Sequence, residues 1–100
     1  MIADFRTSPL GEADTVYVEL LWQGNLRQGR LHVSSELRQA LALQGYPEFN
    51  TGPMGVPFAL SSGVFLAMIS GLKCRVTGDL SAWDKSWGNL EPAEPQDWGL

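Results

Sequence analysis

One hundred residues suffice for one hydrophobic core and rarely for two, and 44% hydrophobic against 18% charged residues excludes the composition of a disordered chain. A formal net charge of -4, with seven Lys and Arg that all stand singly, argues against direct binding to a nucleic-acid backbone. The longest mainly apolar run, residues 64–69, is far shorter than the roughly 20 residues of a membrane-crossing helix, and Asp4 and Pro9 stand where a signal peptide would be basic and then apolar.

Residues 1–14 mix Pro9 and Gly11 with three acidic residues and read as an N-terminal arm, from which Ile2 and Phe5 are candidates for a short edge strand. The first periodic signal comes next. From Thr15 to Gln23, Val16, Val18, Leu20 and Trp22 alternate with Tyr17, Glu19, Leu21 and Gln23, the period of a pleated strand. Gly24-Asn25 supplies a two-residue turn. The hairpin it closes sets Trp22 opposite Arg27, Leu20 opposite Gly29, Val18 opposite Leu31 and Val16 opposite Val33, with Glu19 meeting Arg30 and Tyr17 meeting His32 on the other face. A slip of one residue would bring Arg30 opposite the apolar row, and Gly29 leaves room for a helix or for close packing of Trp22.

Ser34 or Ser35 caps a helix over residues 35–44, with Glu36 at its positive end, Leu37, Ala40 and Leu41 as its apolar stripe, Gly45 at the left-handed stop and Pro47 beyond. Residues 48–57 hold two Gly and two Pro and read as a stiff loop, with Phe49, Met54 and Phe58 either tucked beneath it or open to a partner. Two readings compete for the stretch up to residue 71. A second hairpin about Ser70-Gly71 pairs Ile69 with Leu72, Ala67 with Cys74 and Phe65 with Val76, with Met68 against Lys73 and Leu66 against Arg75; this is the favoured reading. The alternative makes residues 62–70 a buried helix capped by Ser61 or Ser62 and ended by Gly71. Residues 72–77 alternate as a strand in either case. Asp79 then caps one or two turns that carry Leu80, Trp83 and Trp87 on one face. Residues 91–100, with two prolines and three carboxylates, form an acidic C-terminal tail whose Trp98 and Leu100 are expected to dock in a groove of this chain or of a partner.

Catalytic chemistry finds few candidates in this composition. One His and one Cys cannot fill a structural zinc site, and no stretch has the alternating oxygen ligands of a calcium loop, so no metal or other cofactor is expected. Cys74 and His32 are the one available thiol–imidazole pair, and the strand pattern sends them to different sides of the protein. Glu19 with Glu36, or Asp79 with Asp84, could serve as paired carboxylates, yet a cross-strand arginine, a helix start and a turn account for them. Residues 51–55 lack the glycine spacing and the Lys of a phosphate loop. As the only cysteine, Cys74 also excludes an intrachain disulfide and fits a reducing compartment, the cytoplasm.

The expected architecture is an α+β domain over residues 15–90: a small, mainly antiparallel sheet of four or five strands, the 35–44 helix packed across one face, and a short C-terminal helical turn anchored by Trp83 and Trp87. Four Trp and four Phe are more than so small a core readily hides. The functional expectation is therefore a protein–protein interaction module, an adaptor, inhibitor or assembly subunit that binds another protein or its own copy. Its interface candidates are Phe49, Met54, Phe58, Trp98 and Leu100. The alternative is a small enzyme or ligand-binding domain whose site forms between subunits.

Overall fold

A computed structural model describes residues 4–8, 14–45 and 51–91. The chain runs through β1 (Asp4–Arg6), β2 (Thr15–Gln23), β3 (Leu26–His32), α1 (Ser35–Leu43), β4 (Met54–Gly55), α2 (Val56–Ser70), β5 (Lys73–Gly78), the 3-10 turns Leu80–Ala82 and Lys85–Trp87, and β6 (Asn89–Glu91). The fold class is α+β, as the patterning implied, and the sheet is mixed. Its four main strands lie in the order β4-β3-β2-β5.

The β2–β3 hairpin has the register that the side-chain faces demanded, with Val18 opposite Leu31, Leu20 opposite Gly29 and Glu19 opposite Arg30. Gly24 opens the turn at φ 62°. β4 pairs antiparallel to the outer edge of β3. β5 pairs parallel to the other edge of β2, with Val16 opposite Cys74 and Val18 opposite Val76. β1 pairs parallel with β6, Phe5 opposite Leu90, and a bridge from Thr7 to Val76 joins this ribbon to β5.

That parallel pairing overturns the second hairpin. Strands joined by a tight turn must run antiparallel, so a strand parallel to β2 needs a crossover. Residues 56–70 supply it as α2, which leaves β4 at one edge, passes over β3 and β2, and delivers the chain to β5 at the other. The helix begins earlier than either sequence reading placed it, within the stretch read as a loop. Pro57 lies in its first turn, where a missing N–H costs nothing, and Gly71 at φ 69° ends it.

The helix that covers the sheet is thus α2 and not α1. α1 has the expected Ser34 cap, whose Oγ accepts the Leu37 N–H at 3.1 Å, but it reaches the core only through buried Leu41 and half-buried Leu37, while Ala40 is exposed. The reason is close approach. α2 turns the small residues Ala59, Gly63 and Ala67, each a helical turn apart, toward the strands. A Cβ on Gly29 would stand 2.7 Å from Cβ of Ala59, and one on Gly63 would stand 2.8 Å from Cγ2 of Val18. Backbone therefore approaches the facing element closely at both glycines. Val16, Val18, Leu20, Val56 and Val76 are the largest side chains sealed completely in the core that results.

Candidate functional site: an apolar groove beside α2

The outer side of α2 shows what its inner side does not predict. No ionisable residue occurs between Glu48 and Lys73, so the helix is uncharged all round, a composition expected of a helix enclosed on every side. Here only one side is enclosed. Phe58 is 64% exposed, Phe65 53% and Met68 76%.

Phe65 and Met68 border a groove of about 620 Å³ lined also by Phe5, Pro57, Leu60, Ser61, Val64, Ser86 and Trp87, while Phe58 stands outside it. Its far wall is an aromatic stack. Phe5 meets Trp83 edge to face with ring centroids 5.5 Å apart, and Trp83 meets Trp87 in the same manner at 5.4 Å. The Trp83 indole N–H donates to the Gly88 carbonyl at 3.1 Å, and Asp84 Oδ1 accepts the Ser86 N–H at 2.9 Å, so the turn that presents Trp87 is held at both ends. The Ser86 backbone N–H, and secondarily its hydroxyl, hold the Asp84 carboxyl below the usual carboxylate range.

A separate polar group occupies the opposite face of the sheet. Glu19 Oε1 lies 2.8 Å from His32 Nε2 and 3.9 Å from Arg30 Nη1. Strand pairing places Tyr17 between His32 and Arg75, and Tyr17 is buried. The Glu19–Arg30 contact was legible from the register, whereas the closer Glu19–His32 contact is a diagonal one that direct pairing did not reveal. Tyr17, Glu19 and His32 contribute to neither the groove beside α2 nor the smaller cleft at the start of α1.

Cys74 faces α2, since its Sγ would lie 3.3 Å from a Cβ on Gly63, and the strand registers put His32 on the other face of the sheet. The thiol–imidazole pair is therefore divided by the sheet itself. Burial pushes the Cys74 thiol up to about 11, with Arg75 pulling weakly the other way, which leaves it protonated and unreactive at neutral pH. Asp79 Oδ1 accepts from Ser81 N at 3.0 Å and caps a turn, as Asp84 does. Among the described residues, no three His, Cys, Asp or Glu side chains gather as a metal would require. No described helix is long and apolar enough to cross a membrane.

Of the five interface candidates, Met54 is buried in the core beneath the sheet edge and Phe58 is exposed on α2. Phe49, Trp98 and Leu100 lie outside the described residues. Sequence reasoning missed that Phe65, Met68 and Trp87 line one groove. The uncharged stretch around α2 was the signal available for the first two. Comparison with protein-family models, with curated proteins and with solved structures finds no match for this chain.

Proposed function

We propose that the protein is a protein–protein interaction module, an adaptor, inhibitor or assembly subunit, and that it meets its partner through the outer side of α2 and the groove beside it. One observation carries this reading: Phe58, Phe65 and Met68 stand exposed on a helix without a single charge. Large apolar side chains grouped on one element and bordering a concave surface mark a contact site more than scattered ones do. A solvated helix face would carry Lys or Glu at such positions. The alternative, a ligand or reaction site formed between subunits, calls for polar groups at the contact, and this face of α2 offers only Ser61 and Ser62. The reading includes a cytoplasmic location, supported by the lone thiol of Cys74.

A photo-crosslinking residue at position 65, compared with one at exposed Leu43 on α1, tests it in cells that make the protein. Position 65 should yield a discrete adduct of defined mass that position 43 does not. Matching patterns from the two positions would mean that the α2 face has no privileged contact.

A further inference from the structure

We infer that the occupant of the α2 face is a second copy of this chain, with the two α2 helices crossing antiparallel about a two-fold axis; this rests on the interaction reading above. Phe58, Ser61, Phe65 and Met68 are all exposed and succeed one another at intervals of three, four and three residues. That is the spacing of a helix–helix seam, about one side chain per turn facing the partner over a span of about 15 Å. The order of sizes along the seam is what selects a second copy. Positions 58 and 68, and positions 61 and 65, are each symmetric about residue 63. An antiparallel two-fold axis there sets Phe58 against Met68 of the other protomer and the small Ser61 against the ring of Phe65, and does so twice. A two-fold interface must be complementary to itself in this manner. In a parallel pairing Phe65 would meet Phe65 and the recess at Ser61 would face its own image.

Charge and area agree with this. The seam contributes nothing to the net charge of -4, so two copies can approach along it without bringing like charges together. With about 200 Å² for each large side chain, the exposed parts of Phe58, Phe65 and Met68 amount to about 400 Å², and the groove walls bring this to about 500 Å² per protomer. About 1,000 Å² in total lies in the range of weak and transient contacts, so the expected dimer is a reversible one rather than an obligate one.

Sedimentation of the intact chain from about 1 to about 300 µM reads the proposal directly. The wild type should pass from monomer to dimer in this range. Phe58→Lys and Met68→Glu, both at exposed positions and checked for native circular dichroism, should each weaken the dimer at least about tenfold. An equimolar mixture of the two variants should recover it, because only an antiparallel pairing brings the introduced ammonium opposite the introduced carboxylate while it leaves one original Phe58–Met68 contact. Ser61→Phe, which removes the recess, should weaken association without any change of charge. A wild type that stays monomeric at the highest concentration overturns the proposal, as does a mixture no more associated than its components. If that monomer still gives a discrete position-65 adduct to a different protein, the second copy is refuted while the interaction reading survives. If it gives none, both fail.

Discussion

Gly29→Ala is the sharpest test of how α2 is seated. The added methyl would stand 2.7 Å from Cβ of Ala59, with Cγ1 of Val18 and Cα of Val56 both at 3.6 Å. Carbon atoms settle near 3.5 to 4.0 Å apart, so a shift of about 1 Å is required. Neither partner can give way by turning a rotamer, since both are Cβ atoms fixed to backbone. The helix or the strand must therefore move as a body, against Val16, Val18 and Leu20 packed in the same core. Overpacking of this kind costs about 1 to 3 kcal/mol, and the upper half of that range is expected because nothing flexible absorbs it. Against this, Ala is better than Gly in a strand by about 0.5 kcal/mol. A net loss of about 2 kcal/mol should lower the melting temperature of a chain this size by about 8 to 16 °C. Ala59→Gly removes the other methyl at a cost of about 1 kcal/mol in the helix, so the double variant should be more stable than Gly29→Ala alone. A favourable coupling of about 2 kcal/mol in urea denaturation, more than the cost of Ala59→Gly itself, is the expected outcome of the cycle. If Gly29→Ala changes stability by less than about 0.5 kcal/mol, or if Ala59→Gly fails to rescue it, α2 does not cross β3 at this point.

Gly63→Ala should be milder than Gly29→Ala, since the gain of about 1 kcal/mol for Ala over Gly within a helix offsets part of the overlap with Cγ2 of Val18 at 2.8 Å and Sγ of Cys74 at 3.3 Å. Ser34→Ala removes the cap of α1 and should cost about 1 kcal/mol in thermal or urea unfolding. Leu41→Ala should cost about 2 to 3 kcal/mol while leaving self-association unchanged, because Leu41 belongs to α1 and not to the α2 seam. The raised Cys74 thiol makes stability fall at alkaline pH: below 9.0 the thiol is protonated folded and unfolded alike, while between 9.0 and about 11 only the unfolded chain loses the proton. The loss is on the order of 2 kcal/mol by pH 11, and its Cys74 share should vanish in Cys74→Ala. A wild-type thiol that a maleimide modifies at pH 8 as fast as it does in denaturant would contradict this burial.

The β2–β3 hairpin was legible because everything that specifies it is local. A period of two, a Gly-Asn turn and the match of both faces all lie within the hairpin. α2 was not, because the same measure returns nothing for a helix that is apolar on every side. Val64 and Phe65 favour strand, Ala67 and Met68 favour helix, and the decision comes from the parallel pairing of Cys74 and Val76 with Val16 and Val18, far away in sequence. The glycine-rich approach to α2 misled for a related reason. Pro57 punctuates a chain equally well as a loop residue or in the first turn of a helix, and only the residues beyond it distinguish the two. For the groove, the helical spacing of Trp83 and Trp87 was visible, but the edge-to-face contact of Trp83 with Phe5 depends on β1 returning alongside β6, which no nearby residue announces.

The two ends of the sheet bear on a hazard common to β-rich chains. β4 offers only Met54 and Gly55 to the outer edge of β3, and the Thr51 carbonyl accepts the Leu31 N–H beside them at 2.8 Å. At the other margin, β5 carries Lys73 and Arg75, and Thr7 bridges it at Val76. Edges of this kind, one brief and running straight into a helix and the other carrying two cations, are poor templates for the endless strand-by-strand growth of a fibril. The apolar rows of β2 and β5 would invite such growth if their backbones lay open to uncharged edges, and the short β4 and the cations of β5 oppose it.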